Sequence, residues 1–168
     1  MMQIIDRAKE EKIPPIFRLA FRPFFIGAAV YAVVSIALWG LFWSGNTHIS
    51  QLMYGNPLWW HSHEMLFGFA GAVIVGFLLT AVQTWTGQTG VKGAKLAFLF
   101  SLWLIARLGL IFSTPSYLWM IVDCAWIVVA TIFFSYTNYS SQAVAQCIFY
   151  TCSNDVYFIK CKISLDGT

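Results

Sequence analysis

The chain has 168 residues, of which 59% are hydrophobic and only 10% charged, with a formal net charge of +3. A soluble domain carries about 25% charged residues, so this composition excludes a water-soluble globular fold. The absence of any basic cluster interleaved with aromatics likewise excludes a nucleic-acid partner.

The apolar residues are gathered into long runs, and about four of these approach the ~18–20 residues that cross a bilayer core as a helix. Backbone groups in lipid must be satisfied within the segment, which makes each run a helix. The predicted fold class is therefore all-α: a polytopic transmembrane helix bundle with about four spans and an irregular C-terminal tail, its first partner being the lipid bilayer. Three regions follow: a cytoplasmic N-terminal segment (1–22), a four-helix transmembrane domain (23–140) and the tail (141–168).

The first span is predicted from about Phe24 to Trp43, with Pro23 at its first helical position, where a missing N–H costs nothing. Bulky Leu41, Phe42 and Trp43 stand where a signal peptide would need small residues, so this span reads as a retained anchor. The second span is predicted from Trp60 or Met65 to Val82. The third runs from about Ala94 to Phe112 and contains Arg107, and the fourth from about Ser116 to Tyr136 and contains Asp123. Arg7, Lys9, Lys12, Arg18 and Arg22 precede the first span, and Lys92 and Lys95 lie between the second and third. The other two connectors carry no Lys or Arg, so the positive-inside rule places the N-terminus in the cytoplasm.

The tail loses the hydrophobic run and holds Cys147, Cys152 and Cys161, whose spacings match no zinc pattern. A soluble tail is one reading. A disrupted reading frame is the preferred one, because plausible codons shifted by one base encode an apolar string close to a fifth span. The chain is then a truncated form, and the tail cysteines carry no meaning. Cys124, in the fourth span, is expected to be a small packing residue.

The residues that point to chemistry begin at Trp60-His61-Ser62-His63-Glu64-Met65, where the outer loop enters the second span. A helix puts His61 and Glu64 on one face, and that face continues through Gly68, Ala72 and Gly76. Such a small-residue stripe admits a neighbouring helix at close range and turns Glu64 toward protein. His63 lies on the far side of the helix from His61, so the two serve one metal only if the segment is extended. The spacing is not that of a zinc protease. The alternative is an ordinary polar helix end. Arg107 and Asp123 each lie about six residues from the outer end of their spans, roughly 10 Å deep. At that depth a charge must pair, snorkel or face water. A structural Arg107–Asp123 ion pair is one reading, and a polar site shared with Glu64 and His61 is the other.

Several words of this sequence, in their order and spacing, resemble the NnrS family. They are Phe21-Arg22-Pro23-Phe24-Phe25, Trp60-His61-Ser62-His63-Glu64-Met65-Leu66-Phe67-Gly68-Phe69, Gly76-Phe77-Leu78-Leu79-Thr80-Ala81-Val82, Trp85-Thr86-Gly87, and Leu102-Trp103-Leu104-Ile105-Ala106-Arg107. The His-x-His-Glu-Met-Leu-Phe-Gly word is the specific one. The resemblance implies a bacterial inner-membrane protein that contains haem and copper and takes part in the response to nitric oxide or nitrosative stress. It makes His61 and His63 the candidate metal or haem ligands, with Glu64 and Arg107 as their supporting partners; Asp123 is added to that shell by its depth in the span. The chain supplies only a fraction of the family's helices, which puts its own cofactor binding in doubt, and Gln83 stands where the family pattern has a helix-breaking proline. Enzyme activity is left open. The alternative functions are a permeation or proton pathway through Glu64, Arg107 and Asp123, and an inert membrane fragment.

Overall fold

The computed structural model describes residues 11–45, 48–49, 53, 56–112 and 116–139. The tail set apart from the sequence lies outside the described residues, as do residues 1–10. Among the described residues there are helices and no strands. Four helices are long and apolar enough to cross a membrane: α1 (Phe21–Trp43), α2 (Pro57–Thr86), α3 (Ala94–Phe112) and α4 (Tyr117–Tyr139).

Each helix starts or stops where its local chemistry provides for the unpaired backbone groups. Asn56 caps α2, its side chain accepting from the Leu58 N–H at 2.9 Å, and Pro57 occupies the first turn. Gly87 ends α2 in the left-handed region at φ 65°, its N–H bonded to the Gln83 carbonyl. The helix thus runs past Gln83 and stops at glycine. α1 begins at Phe21, so Pro23 is its third residue and not its first. The first four N–H groups of a helix lack intrahelical acceptors, which makes proline harmless there as well. Phe21 N–H finds its acceptor outside the helix, on Thr80 Oγ1 of α2 at 3.0 Å.

The stripe predicted on α2 is the packing face. Glu64, Gly68, Ala72 and Gly76 are all buried, followed by Leu79 and Val82. A Cβ on Gly76 would stand 2.8 Å from Phe24 Cβ, so glycine here sets how close α1 can come. One feature was not predicted: Glu64–Ala70 is a π-helical stretch inside α2. Residues four apart drift around an ideal 3.6-residue helix. The wider π turn offsets that drift, so Glu64 stays in line with the glycines below it. Large apolar side chains, Val33, Ile74, Ile105 and Ile121 among them, face outward on all four helices, as a lipid-facing surface requires. Cys124 is exposed among them and is not a packing residue.

Candidate functional site

All four helices contribute to one buried polar cluster. α2 brings Glu64 and His63, α3 brings Arg107, α4 brings Asp123, and α1 brings Tyr31. Arg107 and Glu64 are each 0% exposed and Asp123 is 4% exposed, so none of their charge is relieved by solvent. Partners therefore have to be internal. Arg107 Nη1 lies 2.7 Å from Glu64 Oε2, and Nη2 contacts Asp123 Oδ1. His63 closes the ring. Its Nδ1 is 3.1 Å from Glu64 Oε1, and its Nε2 is 3.1 Å from Asp123 Oδ2. The Tyr31 hydroxyl donates to Glu64 Oε2, and Trp126 Nε1–H donates to Asp123 Oδ1 at 3.1 Å.

The proton count of this ring is informative. A neutral imidazole has one N–H, yet both ring nitrogens of His63 face carboxylate oxygens. Two carboxylates against one guanidinium leave one negative charge over. His63 is thus placed to bridge the two carboxylates. The aromatic rings of Trp59 and Phe67 lie 4.8 and 4.9 Å from the imidazole and close it off from the side.

Gly68 makes the cluster sterically possible. A Cβ there would lie 2.7 Å from both Glu64 Oε2 and Tyr31 Cε1, and 3.0 Å from Arg107 Nη1. The Gly68 carbonyl accepts a hydrogen bond from Trp103 Nε1–H at 3.0 Å, which ties α3 to the same point of α2.

His61 sits elsewhere. Its ring lies flat on Trp39 of α1, with centroids 4.2 Å apart and planes 9° from parallel, and its Nδ1 is buried without a partner. The two histidines therefore face different neighbours, His61 toward α1 and His63 toward α4. Among the described residues no group of three or more His, Cys, Asp or Glu side chains is placed to hold a metal ion.

A family model described as NnrS protein matches residues 15–152. The chain belongs to the NnrS family. No curated protein and no solved structure gives a match. Part of this site is built by residues that carried the NnrS resemblance: His63, Glu64 and Gly68 from the His-x-His-Glu word, Trp103 and Arg107 from the α3 word, and Phe24 at the α1 contact; Tyr31, Asp123 and Trp126 come from outside those words. The match extends into the stretch set apart as tail and ends there.

Three participants were not singled out in the sequence: Tyr31, Trp39 and Trp126. Tyr31 is a hydroxyl in the middle of an apolar span, and such a group needs an internal partner. Trp126 follows Asp123 by three residues, on the same helix face, which is a readable signal for a side-chain pair. Trp39 carries no such mark, since an interfacial tryptophan near a span end is ordinary.

Proposed function

We propose that this NnrS-family chain is a haem-binding integral membrane protein of the bacterial response to nitric oxide, with His61 as the iron ligand. The observation that carries the assignment is the buried, unpartnered Nδ1 of His61 on a ring held flat by Trp39. Haem iron accepts one neutral imidazole as a proximal ligand, and a protein nitrogen without another partner suits that role. Bound haem supplies an iron centre that takes a diatomic gas. Nitric oxide is small, uncharged and lipid-soluble, so it reaches such a centre through the bilayer.

The fit is narrower for copper. Copper sites use several nitrogen or sulfur donors, and the described residues bring no such set together. His63 has both nitrogens against carboxylates, and serving as a ligand would require it to leave Glu64 or Asp123. Its role in this reading is to bridge Glu64 and Asp123 beneath the helix end that presents His61. Fixing that end is how a charged cluster in the membrane would support a ligand it does not touch.

The test is haem and copper content of the purified chain, read by absorption and elemental analysis, for wild type, His61→Ala and His63→Ala. Wild type is expected to show a Soret band that His61→Ala loses and His63→Ala weakens. Retention of the full band in His61→Ala would overturn the ligand assignment. A second reading rests on the His63 bridge: Tyr31, Glu64, His63 and Asp123 form a continuous chain of proton-exchanging groups. An intact protein with no Soret band, whose proteoliposomes conduct protons and lose conduction in His63→Ala, would favour that reading.

A further inference from the structure

We propose that the groove between the start of α1 and the end of α2 holds the acyl chain of an anionic phospholipid, with the headgroup phosphate against Arg22. The groove has a volume of about 500 Å³, inside the ~300–1,000 Å³ range of small-molecule sites. Phe21 and Phe25 of α1 form one wall, and Phe77, Thr84 and Trp85 of α2 the other. Phe77 is 55% exposed and Trp85 65%, so the lining itself is open to an occupant. Eight residues separate Phe77 from Trp85, about 12 Å along the helix. The groove thus runs from the level of an interfacial tryptophan into the hydrocarbon core, the course of a lipid tail.

The headgroup is selected at the open end, by groups an occupant can reach. Thr84 and Trp85 are both exposed there and supply an O–H and an N–H. Arg22 stands between Phe21 and Phe25 in the chain, and a spacing of three residues makes it the surface neighbour of Phe25 at the groove's rim. Side chains tilt toward the N-terminus of their helix, which for α1 is toward the membrane surface, so a long side chain carries its guanidinium to headgroup level. The structure agrees: Arg22 Nη1 donates to the exposed Pro15 carbonyl, outside α1, at 2.8 Å.

The sign of the headgroup follows from charge. No Asp or Glu lines the groove, and among the described residues none pairs with Arg22. Its charge is therefore left to act outward, unlike that of Arg107, which faces two carboxylates. Residues 1–22 and 87–95, at this end of the bundle, carry seven Lys or Arg against three Asp or Glu. Such an end attracts a net-negative headgroup over a zwitterionic one, and a guanidinium fork matches a phosphate. The groove lies at the opposite end of α2 from His61, so the binding requires no haem and stands apart from the iron assignment.

The experiment uses the purified chain in phosphatidylcholine nanodiscs with a trace of photoprobe, labelled peptides being mapped by mass spectrometry. One probe is phosphatidylglycerol with a diazirine midway along an acyl chain, and the other is phosphatidylcholine with the same chains. The phosphatidylglycerol probe is expected to label the groove peptides about fivefold more, the contribution of one basic residue near an anionic headgroup. Arg22→Gln should bring the two probes level, while Lys95→Gln, an exposed position on α3 outside the groove, should keep the preference. Ala81→Trp, on the groove's lining, should lower the label from both probes, and Ile105→Trp, on the exposed side of α3, should not. Equal labelling by the two probes in wild type would overturn the proposal, as would a phosphatidylglycerol preference spread evenly over all four helices. An equal loss of preference in Arg22→Gln and Lys95→Gln would also overturn it, since that marks a general surface charge and no site. The wild-type comparison needs no variant and decides the matter even if a substitution fails to fold.

Discussion

At the residue scale, a buried ring of opposite charges is a conditional asset. The cost of removing each ion from water is met only while its partners are present, so deleting one partner is worse than never having built the ring. Arg107 holds both carboxylates, and Arg107→Leu leaves Glu64 and Asp123 facing each other across a gap with only His63 between them. We expect a loss of about 3–5 kcal/mol in detergent unfolding, the range for breaking a buried pair. Lys95→Leu, at an exposed position before the bulk of α3, should change stability by no more than ~0.5 kcal/mol. Adding Asp123→Asn to Arg107→Leu should restore part of the loss, because one of the two stranded charges is gone. If the double variant is no more stable than Arg107→Leu alone, the loss is packing and not charge. That Arg107 and Asp123 would need partners was legible in the sequence, from their depth in the spans. That Glu64 would share their site was one of the two readings left open, and it is the one the Arg107–Glu64 contact follows. That Tyr31 and His63, and not His61, complete the ring was not legible, since helical phase shows which way a side chain turns but not which helix it meets.

At the element scale, α2 does two jobs with one face. Its lower part packs on α1 through Gly76, and its upper part carries Glu64 inward over Gly68. The four-residue spacing of Glu64, Gly68, Ala72 and Gly76 was readable as a stripe. The π turn that keeps the stripe straight was not, because hydrophobic spacing does not distinguish i→i+4 from i→i+5 bonding over a single turn. The span boundaries show the same division. α3 falls at Ala94–Phe112 as its apolar run predicted, whereas α2 extends to Pro57 and Thr86 because Asn56 and Gly87, not hydropathy, define its ends. The Gly76 contact can be tested directly. Gly76→Leu places a branched side chain where even a Cβ stands 2.8 Å from Phe24 Cβ, so α1 must move outward. The expected cost is about 1–3 kcal/mol, the usual range for overpacking, seen as a lower melting temperature and faster proteolysis within α1. Ile74→Leu, two residues earlier on the exposed side, should be neutral. Equal melting temperatures for Gly76→Leu and wild type would show that the small-residue stripe does not set the α1–α2 distance.

At the scale of the whole molecule, the charges sort by end. The segment before α1 meets the loop between α2 and α3, where Gly93 N–H donates to the Phe17 carbonyl at 2.9 Å. Lys12, Arg18, Arg22, Lys92 and Lys95 all fall at this end. Arg18 and Arg22 tie the chain there by bonding the carbonyls of Ile13 and Pro15. At the opposite end, where α1 stops at Trp43, α2 starts at Pro57, α3 stops at Phe112 and α4 starts at Tyr117, the sequence between the helices (44–56 and 113–116) carries no Lys or Arg. Glu64 lies about 10 Å and Arg107 about 8 Å below that uncharged end, counting 1.5 Å per residue from Pro57 and Phe112. Basic residues favour the cytoplasmic side, so the polar cluster and His61 should open toward the periplasmic half of the bilayer. Single cysteines decide this in a background where the native cysteines are replaced. Ser44→Cys and Thr89→Cys sit at exposed positions on opposite ends. In intact spheroplasts a membrane-impermeant maleimide should label Ser44→Cys and leave Thr89→Cys unreacted until the membrane is opened. The reverse pattern would invert the molecule. His61 would then face the cytoplasm, and the basic residues would have to be held outside by something other than the charge rule.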